Sequence, residues 1–379
     1  MNLAIRDVRH NWLRFVLTGL GLGGLLAIVV TMMGIYEGAL ADAVRLPRAS
    51  NPALWVVEPL TKGPFAEPSR LPRDTRELVR RLPGVAEAGA VTFETVQATA
   101  NGRPVRLYVQ GYEPGRPGGP SNLVAGHGIT ESHYQIVVDA SSGLQPGQRV
   151  LIGPYHDPYT VVGITRGMVN SGGDPAAWVT LLDAQAIQFA VAPPLQRREK
   201  ALGRSPQQTN DVNAVMVQLE PGASTSAVAA EIDRWKHLSA VTEKQQEDYL
   251  TVFVISRMQK QLGMFMGILI VVAAVIIALI IYTLTMDKMR SIATLKLVGA
   301  PDRTIVGLIV QEALVLGVGG YALGIVLVAA FRSLFPRRVE MLPRDLAMLL
   351  LIVVVVCLLG SALSVRTAVK VDPAKALSG

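Results

Sequence analysis

A chain of 379 residues could hold two average soluble domains, but half of its residues are apolar and its mean hydropathy is +0.36, which points to a membrane protein. The formal net charge of +7 invites a nucleic-acid reading, yet many of the basic residues stand beside long apolar runs, where they set orientation in a membrane. The one cysteine, Cys357, excludes an intrachain disulfide, so each folded part must be held by its own core.

Residues 1–14 carry Leu3, Ala4, Val8 and Trp12 at roughly helical spacing with Arg6 and Arg9 between them, the pattern of an interfacial elbow helix. The first apolar run, 15–36, is longer than the ~7–15 residues of a signal-peptide core and is read as an uncleaved membrane helix. Three more follow at 261–286, 304–331 and 346–365, the third having its charge-free stretch from Ala313 to Phe331. Each is roughly 20 residues or longer, enough to cross a ~30 Å hydrocarbon layer as helix. Cys357 falls inside the fourth as a small apolar contact. Three small-xxx-small pairs, Gly19 with Gly23, Gly263 with Gly267 and Gly320 with Gly324, allow backbones to approach closely, within one chain or between two copies.

Between the first and second spans, residues 37–260 have a soluble composition. Leu54–Val57 reads as a strand, Arg73–Leu82 as a short helix and Val91–Thr99 as a strand. A similar order recurs later, with a strand over Val212–Leu219, a helix from the Ser224 cap to Trp235, and a strand over Leu238–Thr242. Two such units imply one α+β part built from about 50–102 and 206–245. The insertion between them, 103–205, reads as β-rich, with strands at Val105–Gln110, Ile136–Val138, Arg149–Ile152, Thr160–Ile164 and Trp178–Leu181, and a polar loop at Gln196–Pro206. Residues 246–260 run without proline toward the second span and are read as a helical stalk.

The loop 287–303, DKMRSIATLKLVGAPDR, interleaves Met289, Ile292, Ala293, Leu295 and Leu297 with Lys288, Arg290 and Lys296, and Gly299 and Pro301 close it. This predicts a short amphipathic helix, lying on lipid or docking a partner. Counting short flanks, Arg6, Arg9, Arg14, Lys288, Arg290, Lys296, Arg303, Arg366, Lys370 and Lys375 lie on one side of the membrane. Only Arg332, Arg337, Arg338 and Arg344, in the loop 332–345, lie on the other. The excess puts both termini, including the tail 366–379, and the 287–303 loop in the cytoplasm.

No segment has the G-x-x-x-x-G-K-[ST] form of a phosphate-binding loop, and neither H-E-x-x-H nor G-x-S-x-G occurs. His127, His133 and His156 read as surface histidines. The apolar runs themselves carry no charge, which disfavours a proton-coupled carrier; Glu312, at the mouth of the third span, is expected to cap or pair there.

The segments Arg9-His10-Asn11-Trp12 with the glycines 19–24, Leu82-Pro83-Gly84-Val85, Arg290 to Ala300 (RSIATLKLVGA) and Val371 to Leu377 (VDPAKAL) together resemble permeases of the MacB/FtsX superfamily of ATP-binding cassette systems, the type VII or mechanotransmission class. The closest-looking group is the DevC-like permeases. The resemblance implies four transmembrane helices with a large α+β extracytoplasmic domain, made of a Porter-like part and an inserted β-rich Sabre-like part. It implies a non-catalytic subunit in the bacterial inner membrane that pairs with a second copy, each coupling helix, about Lys288 to Val298, sitting in a groove of one subunit of a separate cytoplasmic ATPase dimer. The docking residues carried over are Lys288, Met289, Arg290, Ile292, Ala293, Leu295, Lys296, Leu297 and Gly299. No cofactor is expected on this chain, ATP and Mg being held by the ATPase. A periplasmic adaptor, an outer-membrane channel and lipophilic cargo complete the expected export system. Lipoprotein-releasing LolC/LolE-like permeases and FtsX-like regulators of a periplasmic hydrolase are the alternatives.

Overall fold

The computed structural model describes residues 12–67, 69–153, 155–189, 198, 201–203, 210–235, 237–335 and 338–370. The elbow up to residue 11, most of the loop 196–206 and the tail motif from Val371 onward lie outside the described residues. The chain divides into two compact units, Met1–Gly38 with Met258–Gly379, and Ala39–Arg257.

In the first unit, four helices are long and apolar enough to cross a membrane. They belong to α1 (Trp12–Ser50), α6 (Ser256–Asp287), α8 (Asp302–Phe331) and α9 (Pro343–Lys370). The core among them is apolar: Leu22, Leu26, Val29 and Val30 form a buried stripe on α1, and Ile277, Ile309, Leu316 and Val353 meet it from the others. Close approach depends on missing side chains. A Cβ on Gly320 would stand 2.8 Å from Leu22 Cδ2, and one on Gly324 would stand 3.0 Å from the carbonyl oxygen of Gly23. Cys357 is buried against Gly317, where a Cβ would lie 2.3 Å from its sulfur, so the cysteine is a helix contact. Tyr321 Oη donates to the Leu346 carbonyl at 2.8 Å, satisfying its one polar group.

The loop between α8 and α9 has four arginines, an awkward number on the side opposite the positive flanks. Its carboxylate partners explain how two of them are accommodated. Arg344 donates to Glu37 Oε1 at 2.9 Å and pairs with Asp345, and Arg338 pairs with Glu340 at 2.5 Å. Backbone contact holds this loop on α1: Glu340 N–H donates to the Gly34 carbonyl at 3.0 Å, and a Cβ on Gly38 would be 2.1 Å from the Arg338 carbonyl oxygen.

Helix α1 runs well past residue 36, where the apolar run ends. Residues Ala39–Leu46 are mostly good helix formers, and Ala39, Asp42, Ala43 and Leu46 recur on one buried face.

The second unit is built on a ten-stranded sheet, ordered β12-β1-β11-β3-β4-β9-β6-β8-β5 with β7 bridging β3 and β8. The strands are β1 (Leu54–Val57), β3 (Val85–Ala100), β4 (Arg103–Tyr112), β5 (Leu123–Gly126), β6 (Gln135–Asp139), β7 (Arg149–Ile152), β8 (Asp157–Thr165), β9 (Ala176–Thr180), β11 (Ala214–Leu219) and β12 (Ser239–Thr242); the short β2 (Leu71–Pro72) and β10 (Asp211–Val212) pair separately. Alternation on β1 feeds two cores. Leu54 and Val56 face α2 (Thr75–Arg80) and α4 (Thr225–Asp233), among Val79, Val228 and Ile232. Trp55 and Val57 face Phe93, Met216 and Trp178, with Phe65 edge-on to Trp55 at 5.2 Å between ring centroids.

Strand β3 is longer than the Val91–Thr99 run read from the sequence, and it serves both parts of the unit. Its first half pairs with β11, Ala88 opposite Val217 and Val91 opposite Ala214; its second half pairs with β4, Thr92 opposite Gly111 and Ala100 opposite Arg103. The expected break between residues 102 and 103 therefore falls at the tip of a hairpin, where Asn101 and Gly102 have φ of +52° and +74°. The pairings β3-β4-β9-β6-β8-β7 return to β3 and close a ring. Leu107, Val109, Ile136, Val138, Val150, Ile152 and Val179 pack together within one core of this region. Leu181, expected to end a strand, instead starts helix α3 (Leu181–Gln188), because Thr180 Oγ1 accepts from Asp183 N–H at 3.2 Å and caps it.

At the end of this unit, Thr242 and Gln245 form a reciprocal capping box that starts α5 (Glu243–Tyr249). The chain stays helical through a π-type segment, Leu250–Ile255, into α6.

Candidate functional site

The 287–303 loop folds as one short helix, α7 (Met289–Leu297), between α6 and α8. Its C-terminus shows why the run L-V-G-A-P stops it. Gly299 takes φ +92°, its N–H donates to the Lys296 carbonyl, and the Ala300 N–H donates to the Leu295 carbonyl, both at 3.0 Å. These two bonds make a Schellman motif, and Pro301 then opens α8.

One face of α7 is buried and one is not. Ile292 and Ala293 are 2% and 0% exposed, and Ile292 joins the core of the membrane helices. Leu297 and Val298 are 61% and 83% exposed, and Arg290, Ser291, Thr294 and Gly299 are exposed as well. Met289, Leu295 and Lys296 are half-buried at the edges. The two lysines are held inward by acids of α8: Lys288 Nζ pairs closely with Glu312 Oε1, and Lys296 Nζ lies 3.6 Å from Asp302 Oδ1. Glu312 is buried, 7% exposed, so a carboxylate that would be costly alone is compensated by the ammonium.

Of the nine docking residues read from the sequence, Arg290, Leu297 and Gly299 therefore face outward; Ile292 and Ala293 anchor the helix, and Lys288 and Lys296 tie its ends to α8. Ser291, Thr294 and Val298 complete the outward face and are not among those nine. The signal for them was available: once Ile292 and Ala293 are taken as the core-facing pair, ~100° per residue turns 291, 294 and 298 furthest away.

The six glycines divide similarly. Gly23, Gly320 and Gly324 lie where helices of this chain meet, whereas among the described residues a Cβ on Gly19, Gly263 or Gly267 would meet nothing within 4 Å. Around the latter two, α6 exposes Met264, Phe265, Ile268, Val271, Val275 and Leu279. His127, His133 and His156 are exposed in the second unit, His133 Nδ1 lying 2.7 Å from Asp183 Oδ1. Among the described residues no group of three or more His, Cys, Asp or Glu is placed to hold a metal.

Four helices long and apolar enough to cross a membrane, an α+β domain inserted after the first, and a short capped helix between the second and third define an integral membrane protein with a large inserted domain. Residues 15–235 match the MacB-like periplasmic core domain and residues 263–373 match the FtsX-like permease C-terminal domain; the chain belongs to the MacB/FtsX family of ABC transporter permeases. It is 23% identical over 380 residues to an uncharacterised ABC transporter permease of Mycobacterium tuberculosis strain H37Rv, covering 99% of both chains. It is 21% identical over 395 residues to a putative hemin transport system permease protein, HrtB, of Staphylococcus epidermidis, covering 100% of this chain and 99% of that one. The crystal structure of the periplasmic region of MacB from Actinobacillus actinomycetemcomitans aligns with a TM-score of 0.35 at 10% identity, over 55% of this chain and 96% of that one. Membership makes this an inner-membrane protein that works with a partner ATPase.

Proposed function

We propose that this chain is the non-catalytic permease subunit of an export system, relaying ATP-driven motion of a separate ATPase to its extracytoplasmic domain. The observation that carries the reading is the two-sided character of α7: Ile292 and Ala293 are buried while Arg290, Leu297 and Val298 present an exposed face with apolar side chains. Lys288–Glu312 and Lys296–Asp302 would carry a push on that face into α8. ATP and Mg belong to the ATPase in this reading, and both termini and α7 lie in the cytoplasm.

The permease pairs with a second copy through α6, where a Cβ on Gly263 or Gly267 would meet nothing within 4 Å among the described residues and whose apolar face is exposed. The system is DevC-like: a periplasmic adaptor and an outer-membrane channel continue the path, and the cargo is lipophilic. The hemin-transport name of the staphylococcal relative supports an apolar, amphipathic cargo. Deleting the gene and measuring retention of lipophilic cargo tests the direction; cells that accumulate none, but show a wall-cleavage defect, would replace export by regulation.

A further inference from the structure

Loop 332–345 carries Arg332, Arg337, Arg338 and Arg344 against only Glu340 and Asp345. The ion pairs named above occupy Arg344 and Arg338, but among the described residues Arg332 has no carboxylate within ion-pair distance. Arg332 and Arg338 both line a cleft of about 510 Å³ whose other walls include Glu340, Met341, Leu342 and Pro343. Met341 also packs on the core of the membrane helices. In the turn that follows α8, Leu334 is 76% and Phe335 37% exposed.

We propose that this cleft binds the headgroup of an anionic phospholipid. A helix long and apolar enough to cross the membrane ends at Phe331 and another begins at Pro343, so the cleft stands at headgroup depth. Guanidinium groups match phosphate oxygens in charge and fork geometry, and Arg332 has its charge available. The net charge of Arg332, Arg338 and Glu340 is positive, which favours a headgroup without a cation over a zwitterionic one. Met341 and Leu342 in the wall, with Leu334 and Phe335 outside it, offer apolar contact to glycerol and upper acyl carbons, which free phosphate would not use.

The test uses the full-length protein in neutral detergent, titrated with phosphatidylglycerol or phosphatidylcholine and followed by native mass spectrometry. Phosphatidylglycerol should bind preferentially, and Arg332→Gln should weaken it roughly fivefold, since one basic residue at an anionic surface is worth about that factor. Arg332→Gln with Arg338→Gln should weaken it further, while Arg80→Gln with Arg81→Gln, the same charge change in the other unit, should not. Among the described residues Arg332→Gln breaks no ion pair, so it reports on the site even if the double variant disturbs the loop. Equal binding of both lipids, equal binding to all variants, or displacement by inorganic phosphate at concentrations comparable to the lipid would each overturn the proposal.

Discussion

The ammonium of Lys288, immediately before α7, is paired with the buried carboxylate of Glu312 in α8, linking the 287–303 loop to the interior of the helix bundle. Breaking such a pair from one side strands the other charge, at a typical cost of roughly 3 kcal/mol. Lys288→Met and Glu312→Gln should each lower the melting temperature, and the double variant should lose less than the sum. A double-mutant cycle by thermal melting in detergent checks this; strict additivity would mean the two groups do not act on each other.

Gly299 holds φ +92° in the Schellman turn that ends α7. Gly299→Ala should cost about 1 kcal/mol, because a Cβ in the left-handed region is strained even with open space around it. Gly299→Asn should cost less. Chemical-denaturant or thermal melting of the two variants orders them.

Much of this site was legible in advance, and the part that was not has a physical reason. Charge-free runs and the V-G-A-P stop are local signals, so the helices and α7 could be read directly. Which face of α7 turns outward depends on Ile292 meeting the helix core and on Glu312 and Asp302 drawing in the two lysines, all tertiary facts. In the second unit, β1 and β7 showed in the sequence as apolar or alternating runs between turns. The length of β3 did not, since Val85–Val91 is sustained by β11, more than a hundred residues away in the chain. The extension of α1 was likewise hidden behind the end of the apolar run at Tyr36, though Ala39, Asp42, Ala43 and Leu46 already had helical spacing.

The glycines make a paired comparison. Gly324→Leu should destabilise the monomer by about 1–3 kcal/mol, since the new side chain meets the backbone of α1 at Gly23 and Ala27. Gly267→Leu should leave monomer melting unchanged and reduce the dimer fraction instead. Melting of the monomer together with light scattering separates the two effects; an unaltered dimer fraction in Gly267→Leu would remove α6 from the pairing interface.

Glu94, on β3, has its carboxyl pushed above the usual range by burial. Its folded-state value exceeds its unfolded one, so the stability it confers is full at low pH and is lost as pH rises through the folded value. Above the folded value the ionised, partly desolvated carboxylate is a net cost. Glu94→Gln should therefore raise the melting temperature at pH 7 and give a smaller difference near pH 4. Melting at both pH values provides the check, and an equal gain at both would exclude ionisation as its source.

The role of α7 can be tested at the two exposed apolar side chains of its outward face, Leu297 and Val298. Leu297→Asp with Val298→Asp leaves the buried pair Ile292 and Ala293 and both lysine contacts in place, so the permease should fold and melt normally. The decisive measurement is co-purification of this variant with its cognate ATPase, with the ATPase rate of the reconstituted complex recorded alongside. Loss of co-purification and of permease-dependent ATP hydrolysis is the expected result. Wild-type levels of both, from a variant that folds normally, would contradict docking through α7.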